Sequence, residues 1–430
     1  MSYRSTRGAA EPVTLSQAIR DGVAPDGGLY LPETIPQSAP RADLPLPEFA
    51  AAMLAPFFAG DPLERELPAI CAEAFDFPVP VVTPDPARPG MRALELFHGP
   101  TGAFKDFGAR FLTACFDRLG EPLTILVATS GDTGGAVGCA AEGRANLRAL
   151  ILYPKGRVSP FQALQLGCWR APVQALEVDG DFDDCQRMVK AAFADPALSA
   201  RHHLTSANSI NFGRLMPQMA YLGWAASRVH AETHLEPGLI VPTGNLGHGF
   251  AALYARAMGL PIGPIRFVTN ANRTLGEWAE TGRYAPRPAV ATIANAMDVG
   301  APSNFERVAA LGDALGEFSV ERAEDDEIRA RMVAEYKASN YIWCPHGAAG
   351  AEAYDRLEAG AKGERDWLLC ATAHPYKFAE IVEPLVGRTI EPPPALAAIL
   401  HRSAGHVPIP ATSAALAGAL EADRMRRDAA

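Results

Sequence analysis

The sequence predicts an α/β protein with helices on both faces of mostly parallel sheets, preceded by a separate N-terminal segment. Three observations carry that prediction. Short apolar runs alternate with glycine loops and helix-length stretches through the middle of the chain, the pattern of βαβ units in a parallel sheet. A proline-rich run, Pro78-Val-Pro-Val-Val-Thr-Pro-Asp-Pro-Ala-Arg-Pro89, denies both helix and central strand and marks a boundary. The chain has 430 residues, 48% of them hydrophobic, enough for two or three domains with a sizeable buried core.

Taken in order, the first segment carries a turn-rich patch, Ala24-Pro-Asp-Gly-Gly-Leu-Tyr-Leu-Pro-Glu33, and then apolar residues at helical spacing from Phe49 to Phe58. It is assigned to residues 1–84. Beyond it, Leu123–Ala128 reads as a strand, Gly131–Gly135 as a loop, Ala136–Glu142 as a helix of small residues and Leu147–Tyr153 as the next strand. Val173–Val178 and Phe182–Ala194 make a second strand and helix. The third unit is strand Leu239–Pro242, loop Thr243–Gly247, helix Phe250–Met258 and strand Ile265–Val268. Residues 85–390 are read as the core, made of two α/β subdomains. From Gly387 the chain is looser and Pro-rich before an Ala-rich final helix, so residues 391–430 are expected to be a helical segment.

Composition excludes several classes of function. A formal charge of -10 argues against a general binder of nucleic acid or anionic membrane, which needs Lys and Arg clustered on one face. Any anionic ligand must be held locally. Seven scattered cysteines, none spaced as CxxC, give neither a disulfide framework nor a zinc site, and fit a reducing cytoplasm. No stretch reaches the roughly 18 apolar residues of a membrane span, and the first residues lack an apolar signal core.

The strongest segment for chemistry is Leu96-Phe-His-Gly-Pro-Thr-Gly-Ala-Phe-Lys105-Asp-Phe-Gly-Ala-Arg110. A lysine at a helix start among apolar neighbours loses charge through desolvation and the positive end of the helix dipole, so its pKa falls from about 10.4 and the amine can attack an aldehyde. Taken alone, a lysine in this segment more often lays its stem on Phe104 or Phe107 with its head in water, and it is the neighbouring loops that reverse this reading for Lys105. Val241-Pro-Thr-Gly-Asn-Leu-Gly-His248 lies between a strand and a helix, where backbone amides can hold a phosphate without a cationic side chain, although any strand-to-helix turn can want glycine.

Thr129-Ser-Gly-Asp-Thr-Gly-Gly135 is a second glycine loop, with hydroxyls and amides suited to a carboxylate. It is neither a Walker loop nor a GxGxxG fingerprint. A hydrolase nucleophile at Ser130 is disfavoured because GxSxG is absent. Ala207-Asn-Ser-Ile-Asn-Phe-Gly-Arg214 gathers two amides, a hydroxyl and a guanidinium, the donors a phosphate ester requires, or else a capped turn. Thr372, after the apolar run Trp367–Cys370, could meet a ring nitrogen with its hydroxyl, while His374 beside Pro375 reads as structural. Cys344-Pro-His346 has too few ligands at the right spacing for a metal site, so no metal is expected.

Together, His98-Gly-Pro-Thr-x-x-Phe-Lys-Asp106, Thr129-Ser-Gly-Asp-Thr-Gly134, Asn208-Ser-Ile-Asn211, Pro242-Thr-Gly-Asn-x-Gly247 and Thr372-Ala-His-Pro375 resemble threonine synthases of the bacterial and fungal type. Pro302-Ser-Asn-Phe-Glu-Arg307 and the opening Tyr3…Ser5-Thr-Arg-Gly8 with Ala24–Tyr30 also match, so the resemblance runs in order from about residue 3 to 385. It implies a fold of the tryptophan-synthase-β type, two doubly wound α/β subdomains with an additional small N-terminal domain, and pyridoxal 5′-phosphate (PLP) as cofactor.

Lys105 would be the Schiff-base lysine and catalytic base, Gly244, Asn245, Leu246 and Gly247 the phosphate loop, and Thr372 the partner of the pyridine nitrogen. Ser130, Asp132 and Thr133 would meet the substrate carboxylate and phosphate end, and Asn208, Ser209 and Arg214 the substrate phosphate. Asp132 stands where related PLP enzymes have Asn, and Leu246 where many members have Phe. The implied reaction turns O-phospho-L-homoserine and water into L-threonine and phosphate, by a cytoplasmic monomer or homodimer. The alternatives are a dehydratase or an amino-alcohol phospho-lyase of the same fold.

Overall fold

The computed structural model describes residues 1–428. Its strands in chain order are β1 (Tyr3–Ser5), β2 (Tyr30–Pro32), β3 (Val81–Val82), β4 (Met91–Glu95), β5 (Leu123–Ala128), β6 (Leu147–Pro154), β7 (Val173–Asp179), β8 (Leu204–Ser206), β9 (Gly238–Pro242), β10 (Ile265–Thr269), β11 (Ser319–Arg322), β12 (Trp367–Ala371) and β13 (His406–Pro410). They form a two-stranded antiparallel N-terminal sheet, a six-stranded sheet in the order β11-β10-β9-β12-β4-β3, and a five-stranded sheet in the order β13-β7-β6-β5-β8. Every pairing in the two large sheets is parallel except β3 with β4.

The runs read as strands are strands because they are buried on both faces. β5 and β6 are buried along their whole length, and Leu123 lies opposite Leu147 at the start of a six-residue register. Central β12 pairs Trp367 with both Met91 of β4 and Gly238 of β9. A Cβ on Gly238 would fall 2.4 Å from the Trp367 ring, so only glycine lets that indole lie flat across the sheet. The proline-rich run yields the two-residue β3 at a sheet edge, where missing N–H groups cost nothing.

Two helices begin earlier than predicted. After β5 the helix spans Asp132–Ala141, not Ala136–Glu142, because Thr129 Oγ1 accepts hydrogen bonds from the amides of Gly131 and Gly134, both at 3.0 Å. Gly134 and Gly135 lie in its first turn, and a Cβ on Gly134 would sit 2.5 Å from Leu166. After β9 the helix is Gly247–Ala257, not Phe250–Met258.

The C-terminal stretch is corrected too. Residues 391–430 are not only helical: besides the helix Pro394–Leu400 and the helix starting at Ser413, β13 joins the five-stranded sheet as an edge beside β7. Pro408 and Pro410 conceal this strand from propensity and are tolerated only at an edge.

The N-terminal segment packs on the same core as the sheets. Its helix Leu46–Phe58 buries Phe49, Met53, Leu54, Phe57 and Phe58. Buried Arg307 ties this segment to loops of both sheets, donating to the carbonyl oxygens of Tyr30 (3.1 Å), Ile210 (2.6 Å) and Ser209 (3.2 Å) and to Asn304 Oδ1 (2.5 Å). Among the described residues no helix is long and apolar enough to cross a membrane.

Candidate active site

All five motifs follow the carboxyl end of a parallel strand: the Lys105 segment after β4, the Thr129 loop after β5, the Asn208 segment after β8, the Thr243 loop after β9 and Thr372 after β12. Ligands of open α/β sheets bind at those ends. The first and last motifs touch directly, since the Phe104 amide donates to the Thr372 carbonyl at 2.9 Å and His374 to that of Gly102 at 2.9 Å.

Lys105 opens the helix Lys105–Leu119 and is half-buried. Its ammonium forms no hydrogen bond or ion pair with another described residue; the Phe104 ring centroid is 5.9 Å away. Burial lowers its pKa. Asp132 opposes that shift, and the charges of Arg214 and Lys377 reinforce it. A half-buried lysine with a depressed pKa is a setting in which an amine can act as a nucleophile.

The loop after β9 is a cradle of amides. Among the described residues, the backbone N–H groups of Gly244, Asn245, Leu246 and Gly247 have no hydrogen-bond acceptor, and they stand at the positive end of the helix Gly247–Ala257. Leu246 holds the turn at φ 60°, a conformation uncommon for a residue with a side chain. A Cβ on Gly244 would lie 2.7 Å from the Met297 Cα, so glycine is obligatory there. Free amides, a poised lysine and the buried Thr372 hydroxyl, which hydrogen-bonds no other described residue, together match a phosphate-bearing pyridine aldehyde in charge and donor set.

Asp132 is buried beside this lysine. Burial alone would raise its pKa, but Lys377, Lys105 and His346 outweigh it and hold the carboxyl at about 2. Its ion-pair partner, Lys377 Nζ at 3.1 Å, was not singled out in the sequence. Lys377 also donates to the Thr101 carbonyl and to Gln165 Oε1, each at 2.7 Å. His346 is buried with Nε2 accepting from the Ala296 amide at 3.1 Å, and burial helps to hold its pKa at about 4. Cys344, its neighbour in the discarded metal motif, instead caps a helix with Sγ accepting from Gly347 N at 3.4 Å.

The remaining predicted residues divide into two groups. Ser130, Thr133 and Asn208 are half-buried, with side chains that hydrogen-bond no other described residue. Ser209 Oγ accepts from Asn245 Nδ2 at 2.7 Å and Asn304 Nδ2 at 3.2 Å, which brings the Asn208 segment to the amide cradle. Arg214 is buried deeper, behind Gly108, donating to the carbonyl oxygens of Ala207 (2.7 Å) and Lys105 (3.5 Å). Burial brings its pKa down to about 10, and its Nε has no hydrogen-bond partner among the described residues.

Residues 71–372 match the family model of pyridoxal-phosphate dependent enzymes, and residues 2–75 match that of the threonine synthase N terminus. The threonine synthase of Haemophilus influenzae is 38% identical over 396 residues, covering 90% of this chain and 92% of that protein. The chain belongs to the threonine synthase family. The crystal structure of threonine synthase from Escherichia coli shares the fold at a TM-score of 0.90, with 33% identity over 98% of this chain and 100% of the other. PLP-bound threonine synthase from Brucella melitensis matches at 0.89, with 34% identity over 98% and 99%. As a threonine synthase family member the protein is a PLP-dependent enzyme, and the expected α/β fold with its N-terminal addition is the fold it has.

Proposed function

We propose that the enzyme converts O-phospho-L-homoserine and water into L-threonine and inorganic phosphate. One observation carries the reading: a lysine with a lowered pKa, its ammonium bonded to no other described residue, stands with a cradle of free amides that is hydrogen-bonded to a second donor-rich segment. Lys105 would hold the cofactor, the amides of Gly244, Asn245, Leu246 and Gly247 its phosphate, and Thr372 its ring nitrogen.

Once bound, PLP supplies an electron sink for charge developing on the substrate's carbon atoms. The chain supplies position and protons. Lys105, with its depressed pKa, is suited to take the proton from the substrate Cα and return it, since a base works best with a pKa near the working pH. Ser130 and Thr133 would orient the substrate carboxylate end, with Asp132 between them. Asn208 and Ser209 would bind the phosphate on Cγ and stabilise it as it leaves. Buried Arg214 would add positive charge from behind. The seven free cysteines, six of them buried, support a reducing compartment such as the cytoplasm. The assembly would be a monomer or homodimer.

The test is to incubate the enzyme with O-phosphohomoserine and measure phosphate, threonine and ammonia together. Threonine and phosphate are expected in equal amounts. Ammonia in step with phosphate would replace the proposal by an amino-alcohol phospho-lyase.

A further inference from the structure

We propose that Lys377 is a positioning residue that fixes Asp132 beside Lys105 and cancels its charge, so that the pair acts on the cofactor-holding lysine as a neutral group would. The inference rests on the reading of Lys105 as that lysine, not on the identity of the substrate.

The geometry is a knot between the two sheets. Lys377 lies just after β12 of the six-stranded sheet, whereas Asp132 heads the helix after β5 of the five-stranded one. Two hydrogen bonds, to Thr101 O and Gln165 Oε1, and one ion pair, to Asp132 Oδ1, occupy the ammonium on three sides. Gln165 Nε2 closes the knot by donating to the same Thr101 carbonyl at 3.1 Å. Thr101, Gln165, Lys377 and Asp132 are all buried, so none can move without exposing an unpaired polar group.

A lysine in that setting is costly unless something nearby needs its charge. Asp132 is the only carboxylate in contact with it among the described residues. An uncompensated carboxylate there would pull protons toward Lys105; paired with Lys377, it contributes no net charge. The other ionisable groups around the knot are Arg214, His346 and His374, with Asp106 beyond Thr101.

The experiment is a pH titration of the absorbance of the substrate-free holoenzyme, whose midpoint reports the proton at the lysine–cofactor linkage. Lys377→Met leaves Asp132 uncompensated and is expected to raise the midpoint by about one unit. Asp132→Asn leaves Lys377 uncompensated and is expected to lower it by about one unit. The double variant D132N/K377M should return to the wild-type midpoint, and Lys377→Arg should stay near it. If K377M does not fold, the downward shift of D132N and the return of the double variant carry the test. Shifts in the same direction, an unmoved D132N, or a double variant that fails to return would overturn the assignment. These readouts need no turnover, so they stand even if the substrate assay fails.

Discussion

Asn245 and Ser209 are hydrogen-bonded, Nδ2 to Oγ at 2.7 Å, across loops that follow β9 of one sheet and β8 of the other. The contact couples the amide cradle to the donor-rich segment assigned to the substrate phosphate. Ser209→Ala leaves Asn245 and Asn304 without that acceptor, a loss of about 1 kcal/mol for each part-buried bond, although Asn304 keeps the Asn245 carbonyl. The expected outcome is at least about a tenfold rise in KM for the phosphorylated substrate with the cofactor spectrum retained. Steady-state kinetics and an absorbance spectrum check it.

Gly244→Ala should act on the cofactor first. Its Cβ would meet the Met297 backbone at 2.7 Å, and a backbone atom cannot rotate away. The overpacking is expected to cost about 1–3 kcal/mol and to displace the amides of the loop. Cofactor affinity, measured by titrating the apoprotein with PLP, should fall at least about tenfold. Unaltered affinity would remove these amides from the phosphate site.

Arg214 can be disturbed without mutating it. A Cβ at Gly108 would lie 2.7 Å from Arg214 Nε, so Gly108→Ala should push the guanidinium out of place. Both Gly108→Ala and Arg214→Ala are expected to lower kcat/KM severely with PLP retained. Loss of the cofactor spectrum in either variant would assign Arg214 to the cofactor phosphate instead.

Acid should destabilise the fold through His346. Buried and accepting a backbone hydrogen bond, it has a pKa of about 4 in the fold against about 6.5 when unfolded. The unfolded chain therefore takes up the proton first as pH falls. The stability this group contributes is fully present above pH 6.5 and is lost as pH drops through about 4, up to about 3 kcal/mol. His374, also held at about 4, works in the same window. Melting temperatures measured between pH 7 and pH 4 should fall less steeply in His346→Gln than in the parent. Parallel slopes would clear this histidine of any part in acid lability.

Much of the architecture was legible because parallel strands are buried on both faces and read as continuous apolar runs: Leu123–Ala128 and the helix Phe182–Ala194 have the boundaries their residues predict. The motifs were legible for a related reason, since each is a loop at a strand's carboxyl end. β13 was concealed by two prolines that only an edge strand tolerates. Lys377 was concealed because a lysine is ordinarily a surface residue, and its partners Thr101, Asp132 and Gln165 are hundreds of positions away in sequence. Asn304 and Arg307 were visible only as a matching motif; their part in clamping Asn245, Ser209 and Tyr30 comes from tertiary contacts.

The most direct measurement reduces the holoenzyme with borohydride, digests it and identifies the peptide carrying the pyridoxyl group. The label is expected on Lys105 alone, and Lys105→Ala should yield none and lose turnover. A label on Lys377 or any other lysine, or an active Lys105→Ala enzyme, would contradict the assignment on which the rest depends.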